Sequence, residues 1–457
     1  MSKSAEIILF KHHIYKDIIN NALNIVKQYI LNNQRIVVGG MAIDMALKLK
    51  NSKLYDDDEI PDYDFFSFEF HKDAYNLASL LIKNLGPSID ISVINALHFS
   101  TMRVRVNYVV VADITYVPKN IYKKIPTLVR EGFIFVHPHF QFITQHLSLY
   151  SPYKNSPYET VLYRWEKDMK RYNLLLEKYP INFDINQKLN NDLACHQKKQ
   201  ASSPSCRGSP SLKKYNIEIE LLKNSCLTGI VGCLFWYNKA IKMGFKNKIN
   251  YGNFEIKNKN IIYESPTNIL IIYASNYIKK CGEISKDKNI EKYNAILDIM
   301  PQRIETKINY NLIKILDSHN QLISSYIEKD IYFANLQNIM SILLIKYFFY
   351  ENNKFYLLFY NLCISIIKWA SEKYIKSNNN KLLPFFPSLE SYGTKEIGIH
   401  MQLNKKKFKQ LKNKDIKDKM KLPSKYFFNK LNNESINKKL YLYDPEKYYH
   451  INGLIQK

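Results

Sequence analysis

The sequence predicts an α+β protein in which a mixed α/β unit is followed by an α-rich C-terminal domain. Short β-branched runs alternate with segments of helical periodicity between residues 14 and 116. Long apolar and aromatic segments of helical length follow in residues 215–400. A hydrophobic content of 46% over 457 residues supplies a large core and excludes wholesale disorder. The sequence shows no internal repeat.

The mixed α/β unit is expected to cover residues 1–184. Apolar residues at three- and four-residue spacings predict its helices, and β-branched runs predict its strands. In order, the predicted elements are a helix at 14–31, a strand at 35–38, a helix at 41–50, a strand at 62–70, paired strands at 89–94 and 101–112, and a helix at 157–179. The last helix carries Arg164, Lys167 and Arg171 together on one face.

Three further segments complete the chain. Ser, Pro and Gly interrupt any periodicity at 185–214, which predicts a flexible loop. Residues 215–400 are expected to form the α-rich domain, with helices at 336–350 and 355–375. Residues 401–457 are a basic segment with eight lysines between 405 and 419. This segment either follows nucleic-acid phosphates or is a disordered solubilising tail.

The chain is strongly basic. Lys and Arg number 66 against 41 Asp and Glu, so the formal net charge is +25. Such a charge indicates either a polyanionic partner such as nucleic acid or the residue bias of an AT-rich genome. Six cysteines without a C-x-x-C pair favour reduced thiols in an intracellular compartment. The longest apolar runs are shorter than a membrane span, so neither a signal peptide nor an anchor is expected.

The pair Gly39-Gly40 lies between a predicted strand and a predicted helix. Two glycines allow a ligand to approach the backbone closely, and a helix start presents free N–H groups with a positive dipole end. Phosphate is the natural occupant of such a position. The alternative interpretation is a tight turn without a ligand.

Asp62 and Asp64 are two residues apart on the next predicted strand, so their side chains share one face. Adjacent carboxylates repel each other unless a cation lies between them, and Mg²⁺ favours carboxylate and phosphate oxygens. The alternative is a solvated acidic edge that continues the acidic run before Pro61. A third carboxylate is expected from a neighbouring strand, and Asp113 is preferred to Asp90 because Asp113 follows an apolar run.

These residues resemble the nucleotidyltransferase superfamily. The fuller pattern of Asp62-Tyr-Asp-Phe-Phe-Ser67, Asp113-Ile-Thr-Tyr116 and Pro384-Phe-Phe-Pro-Ser-Leu389 resembles the poly(A) polymerase catalytic subunits of large DNA viruses, of poxvirus and giant-virus type. The resemblance is specific at 35–118, looser through the basic helix, and faint at 187–214 and in the C-terminal segment. The interval between Gly40 and Asp62 is longer than in compact members of the superfamily.

The resemblance implies a nucleotidyltransferase-like catalytic domain that adds AMP from ATP to RNA 3′ ends, as in mRNA polyadenylation, by a two-metal-ion mechanism. Asp62, Asp64 and Asp113 would be the catalytic residues and the ligands of Mg²⁺ or Mn²⁺. Gly39 and Gly40 would cradle the ATP triphosphate. The basic face of Arg164, Lys167 and Arg171 would contact the triphosphate or the RNA backbone; the alternative is a solvated helix face.

The implied partners are ATP and a single-stranded RNA 3′ end, together with either a second copy of the chain or a separate processivity subunit, and no membrane. The implied location is the host cytoplasm, in a viral factory, or the virion. Two other functions fit the same residues: nucleotide transfer to a tRNA end, a protein or a small molecule, and an inactive RNA-binding subunit. The intact aspartate set argues against an inactive subunit.

Two weaker candidates lie outside this pattern. Thr228-Gly229 is interpreted as a helix start, with a contact to the nucleotide sugar as the alternative. His137, His139 and His146 lack the carboxylate or cysteine spacing of a metal site.

Overall fold

The structure, a computed structural model, describes most of the chain between residues 15 and 385 and a short strand near the C terminus. The described ranges are 15–56, 61–96, 100–150, 161–181, 212–223, 225–247, 249–274, 277–284, 290–293, 303–308, 311–317, 325–329, 331–351, 354–385 and 425–427. Most of the loop predicted at 185–214 and most of the basic segment at 401–457 lie outside these residues. None of the described helices is long and apolar enough to cross a bilayer.

The first half of the chain forms a sheet with helices on both faces, which is a mixed α/β unit as the sequence predicts. Its strands are β1 (Ile36–Val38), β2 (Tyr63–Ser67), β3 (Ile91–Asn95), β4 (Thr101–Val106), β5 (Val109–Tyr116), β6 (Thr127–Arg130) and β7 (Phe133–Val136). Its helices are α1 (Lys16–Asn33), α2 (Gly39–Lys48), α3 (Phe70–Leu85), α4 (Lys119–Tyr122), α5 (Pro138–Tyr150) and α6 (Val161–Lys178). The strand order is β3-β4-β5-β2-β1-β7-β6.

The two faces of this sheet have different coverings. Helices α1 and α3 cover one face, where their apolar stripes meet Tyr63 and Phe65 of β2 in a buried cluster. Helices α2, α5 and α6 lie together on the other side, and Phe66 packs in their cluster. Each fully buried side chain of this size contributes roughly 1.5–3 kcal/mol to folding. Because strand side chains alternate, the burial of Tyr63 and Phe65 directs Asp62 and Asp64 to the face of α2.

The sequence predicts one strand at 101–112, but the structure contains the hairpin of β4 and β5. Asn107 and Tyr108, both at positive φ, form its turn. The pairing register shifts between Val104 and Arg105, so Val104 pairs with Ala112 and Arg103 with Asp113. A regular two-residue hairpin would place the buried Met102 opposite Asp113 instead. This β-bulge therefore determines which side chain faces Asp113.

The second half of the chain contains two more sheets. Its strands are β8 (Lys213–Glu218), β9 (Ser225–Thr228), β10 (Phe254–Lys257), β11 (Asn260–Ser265), β12 (Ile269–Ala274), β13 (Glu291–Tyr293), β14 (Arg303–Ile308), β15 (Asn311–Asp317), β16 (Ser325–Glu328) and β17 (Ile331–Ala334). Its α-helices are α7 (Gly229–Lys242), α8 (Tyr277–Ile284), α9 (Leu336–Ile345) and α10 (Lys354–Ser377). A last strand, β18 (Lys425–Phe427), pairs with β3 at the edge of the first sheet.

The mixed α/β fold class is confirmed, but the description of the second half as α-rich needs correction. The two predicted helices are present as α9 and α10. They accompany strands that the sequence analysis did not identify. Those strands contain three to seven residues each. A short, fully apolar run such as that of β12 cannot be distinguished from a buried helix by periodicity.

The fold contains a repeat that the sequence does not show. In the second half, a seven-stranded sheet has the order β13-β14-β15-β12-β9-β17-β16. Each neighbouring pair has the same relative direction as its counterpart in the first sheet. Helix α7 follows β9 as α2 follows β1, and both helices begin at a glycine with φ +66°. The chain therefore contains two versions of one sheet.

Candidate active site

The three predicted aspartates lie on neighbouring strands. Strands β2 and β5 are parallel, and Asp64 is directly opposite Asp113 in their register. Asp62 lies one residue before β2 and is exposed, whereas Asp64 is half-buried. The side chain of Asp113 is 16% exposed. The structure therefore brings together the three carboxylates that the sequence analysis selected.

The electrostatics of this cluster favour a bound cation. Although Asp62 is exposed as a residue, desolvation by its neighbours raises the pKa of its carboxyl, and the Asp113 carboxylate raises it further, while Arg103 opposes the rise. Burial also raises the pKa of Asp64 well above its ordinary value, with additional contributions from Asp62 and Asp113. Both shifts mean that the site resists holding its full negative charge without a counterion.

The two glycines are at the start of α2, against this cluster. Gly39 has φ +66°, a left-handed conformation that favours glycine. A Cβ atom at Gly39 would overlap the Asp64 carboxylate, so the backbone and the acid are in close contact. The preceding residue, Val38, provides no side-chain cap for the first N–H groups of α2. This end of the helix therefore has the features of the predicted phosphate cradle.

Tyr55 is a site residue that the sequence analysis missed. Its hydroxyl lies against Gly40, where a Cβ atom would overlap it, and accepts a hydrogen bond from Arg171 Nη2 at 2.9 Å. Burial raises the pKa of the Tyr55 phenol; Arg171 opposes the rise, and the carboxylates of the site add to it. The buried Asp44 carboxylate fixes this loop by accepting the N–H groups of Leu54 and Tyr55. Tyr55 is thus held over the cradle.

The basic helix α6 contributes two of its three predicted residues to the site. Lys167 interacts electrostatically with Asp62, and Arg171 with Asp64. Burial lowers the pKa of Lys167, and the nearby Arg171 lowers it further. The Nε of Arg171 is buried without a hydrogen-bond partner in the described part of the chain. Arg164, one turn before Lys167, is exposed.

Arg103 was also missed by the sequence analysis. From β4 it reaches across to Asp113, with Nε 2.7 Å from Oδ1 and Nη2 2.6 Å from Oδ2. This bidentate pair is the strongest geometry available to an arginine and a carboxylate. The hydrogen bonds to Asp113 raise the pKa of Arg103. The alternation of residues 101–106 places Arg103 and Arg105 on one face, but only the bulge brings Arg103 opposite Asp113.

The alternative candidates lie elsewhere. Asp90 precedes β3 beside the turn between β4 and β5, where its backbone N–H donates to Asn107. His146 is buried, and its Nε2 is 2.9 Å from the Tyr360 hydroxyl. Thr228 precedes α7, and its buried hydroxyl donates to the Asn338 side chain, as a structural helix start would. Burial lowers the pKa of His146 to about 3, so this imidazole stays neutral.

The aspartate set suits a divalent metal chemically, although it is not a closed site. Over the described ranges, no three His, Cys, Asp or Glu side chains are already arranged around a metal position. Three converging carboxylates nevertheless provide the hard oxygen donors that Mg²⁺ and Mn²⁺ prefer, and a cation would relieve their mutual repulsion. Both oxygens of Asp113 are meanwhile hydrogen-bonded to Arg103.

Residues 24–155 match the family model described as poly(A) polymerase catalytic subunit. This region runs from α1 to just beyond α5 and includes the two glycines and the three aspartates. The resemblance is confirmed over this region.

Two viral relatives match the same part of the chain. A protein of African swine fever virus (isolate Pig/Kenya/KEN-50/1950), named by inference as a poly(A) polymerase catalytic subunit, is 42% identical over 163 residues. The match covers 36% of this chain and 34% of that protein. A protein of the same name from Acanthamoeba polyphaga mimivirus is 32% identical over 165 residues, or 35% of this chain and 27% of that protein. The chain therefore matches about a third or less of the length of these relatives.

The similarity of the fold extends further than the similarity of the sequence. The crystal structure of the Megavirus polyadenylate synthase aligns with 99% of this chain and 87% of that chain, with a TM-score of 0.64 and 18% identity. At this identity the match shows the fold alone. The mixed α/β fold class predicted from the sequence is therefore shared with that structure.

Proposed function

We propose that this chain is a template-independent polynucleotide adenylyltransferase that adds AMP from ATP to RNA 3′ ends. The observation that carries this proposal is the meeting of three carboxylates with the glycine helix start. Asp64 and Asp113 face each other across β2 and β5, and the Asp64 carboxylate contacts Gly39. Carboxylates suited to a divalent metal therefore lie beside a helix start suited to phosphate, and this arrangement supports the proposal.

The residues of the chain have separate tasks in this reaction. The N–H groups of Gly39 and Gly40 would bind the triphosphate, with Lys167 and Arg171 neutralising its charge from α6. Asp62 and Asp64 would hold both divalent ions, and Asp113 one of them beside the RNA 3′-hydroxyl. When bound, the ions would lower the pKa of the attacking hydroxyl and offset the charge of the leaving pyrophosphate.

Lysine and arginine supply the attraction for RNA in this proposal. The net charge of +25 favours a polyanionic acceptor over a small molecule. Because Arg164 is exposed on α6, we infer that it would contact the RNA backbone rather than the triphosphate. The proposed location is the cytoplasm of the infected cell or the virion.

The proposed assembly is either a homodimer or a monomer that works with a separate processivity subunit. Size-exclusion chromatography with light scattering distinguishes the homodimer from the monomer.

The decisive experiment offers the purified protein a labelled short RNA, Mg²⁺ and one nucleotide at a time. A ladder of products with ATP alone supports the proposal. Products with CTP as well would indicate a tRNA-type end transferase, and incorporation only into protein or a small molecule would indicate another acceptor. Binding of RNA without any transfer, in Mg²⁺ and in Mn²⁺, would indicate an inactive subunit and refute the proposal.

A further inference from the structure

The Asp113 carboxylate is already engaged by a cation from its own chain. Arg103 donates one hydrogen bond to each Asp113 oxygen, at 2.7 and 2.6 Å, and the two side chains are only 28% and 16% exposed. A bidentate pair in such surroundings is stronger than an exposed ion pair and restricts how the carboxylate can turn. Asp113 therefore has a fixed orientation before any metal binds.

The same guanidinium also affects the rest of the aspartate set. Arg103 opposes the rise in pKa of both Asp62 and Asp64, so its positive charge reaches all three acids. A divalent ion entering this cluster would meet a resident cation. It would also have to share the Asp113 oxygens with the two N–H donors of Arg103. The ion pair and the metal are thus competitors for one carboxylate.

The second sheet also has an ion pair at the position that corresponds to Arg103 and Asp113. In the second sheet, Lys314 of β15 occupies the position of Asp113, and its partner on β12 is Ile271 in place of Asp64. Glu305 of β14 lies opposite Lys314, in the position of Arg103. Lys314 Nζ is 3.2 Å from Glu305 Oε1. The acid and the base have exchanged strands. In the first sheet the carboxylate, Asp113, lies on β5 beside Asp64, whereas in the second sheet the carboxylate, Glu305, lies one strand further out, on β14.

We propose that Arg103 is a positioning residue that orients Asp113 in the metal-free protein and is displaced from at least one Asp113 oxygen when the divalent ion binds. This inference rests on the proposed metal-dependent transfer. Arg103 therefore weakens metal binding while it improves the geometry of the loaded site. Linkage requires the converse effect, because a metal that binds Asp113 must loosen the Arg103 pair by the same factor.

The test measures Mn²⁺ affinity by calorimetry, in the absence of nucleotide, for the wild type, Arg103→Gln and Arg103→Lys. Arg103→Gln is expected to bind Mn²⁺ about tenfold more tightly, within the usual range of coupling between two ligands of one site. Its kcat should fall because Asp113 loses its fixed orientation, while the KM for ATP changes little. Arg103→Lys keeps the positive charge but not the bidentate guanidinium geometry, so its Mn²⁺ affinity should lie between those of the wild type and Arg103→Gln.

Three controls separate the outcomes. Arg130→Gln removes a positive charge from the surface pair with Glu131 on the same sheet and should leave the Mn²⁺ affinity unchanged. Asp64→Asn should lose Mn²⁺ binding; if the wild type binds none either, the proposed metal site fails. If Arg103→Gln does not fold, Arg103→Lys decides. Wild-type Mn²⁺ binding that is unchanged or weakened by loss of Arg103 overturns this inference and leaves the proposed function standing.

Discussion

Gly39→Ala is the most informative single substitution because it combines backbone strain with a clash against the site. At φ +66°, an alanine costs about 1–2 kcal/mol in the free energy of folding. Its Cβ atom would also overlap Asp64 Oδ2. Moving the carboxylate aside adds roughly 1–3 kcal/mol, as other overpacked positions do. The expected loss of stability is therefore about 2–5 kcal/mol.

The second sheet provides a matched control in Gly229→Ala. Gly229 has the same φ of +66° at the start of α7, but its Cβ atom would meet the apolar Ile271 side chain, with Cδ1 at 2.9 Å and Cγ1 at 3.3 Å, instead of a carboxylate. This variant should lose about 1–2 kcal/mol from strain, together with a smaller cost for moving the flexible Ile271 side chain, and should retain nucleotide transfer. Gly39→Ala should lose transfer at least about a hundredfold, because a displacement of about 1 Å in a catalytic group has that effect.

Urea unfolding gives the two stabilities, and extension of a labelled RNA with ATP gives the two activities. The reasoning is refuted if Gly39→Ala extends RNA at the wild-type rate. It is also refuted if Gly229→Ala loses transfer as completely as Gly39→Ala does, because the effect would then come from unfolding rather than from Asp64.

Three further outcomes are expected. Asp113→Ala should lower RNA extension at least about a thousandfold, since a missing metal ligand costs several kcal/mol of transition-state stabilisation. The Asp90→Ala control should extend RNA normally in the same gel assay. The reverse pattern would identify Asp90 as the third carboxylate. Tyr55→Phe removes the hydrogen bond that Arg171 donates to Tyr55 and so frees Arg171 for the triphosphate. The KM for ATP should fall about two- to tenfold, which is the value of one hydrogen bond. A higher KM would show that the Tyr55 hydroxyl itself binds the nucleotide. The raised pKa of Asp64 means that its protonated form stabilises the fold at low pH and that this stability is lost as pH rises above its ordinary value of 3.8. In EDTA, the Tm advantage of Asp64→Asn over the wild type should therefore grow from pH 4 to pH 7, and a constant difference would contradict the assigned repulsion.

Local patterns were sufficient to predict the centre of the site. The β-branched run before Gly39 and the alternation of Asp62 with the buried Tyr63 define a strand, a helix start and the face of the acids. The choice of Asp113 followed from the apolar run before it, and the structure places it opposite Asp64. These features depend on periodicities of a few residues, which a single sequence contains.

The missed features depend on contacts between distant residues. Arg103 faces Asp113 only because of a one-residue bulge, and no residue type marks that position. Tyr55 reaches Gly40 because Asp44, eleven residues earlier, holds its backbone. The second sheet escaped notice because its strands are short and its sequence no longer resembles the first. In each case tertiary structure, rather than local propensity, determines the arrangement.

The exchanged ion pair of the second sheet leaves little room for a metal-binding carboxylate at the position that corresponds to Asp113. Replacing Lys314 with an acid would set a new carboxylate against the buried Glu305. Glu305 would keep its hydrogen bond from Arg303 Nε at 2.8 Å, so the cost would be at most the roughly 3–5 kcal/mol of breaking a buried pair, set against the roughly 5–15 kcal/mol that stabilises a domain. Ile271 would also have to change before any metal ligand faced Gly229. A single substitution at Lys314 would therefore leave the second sheet less stable and still without a carboxylate at the position of Asp64.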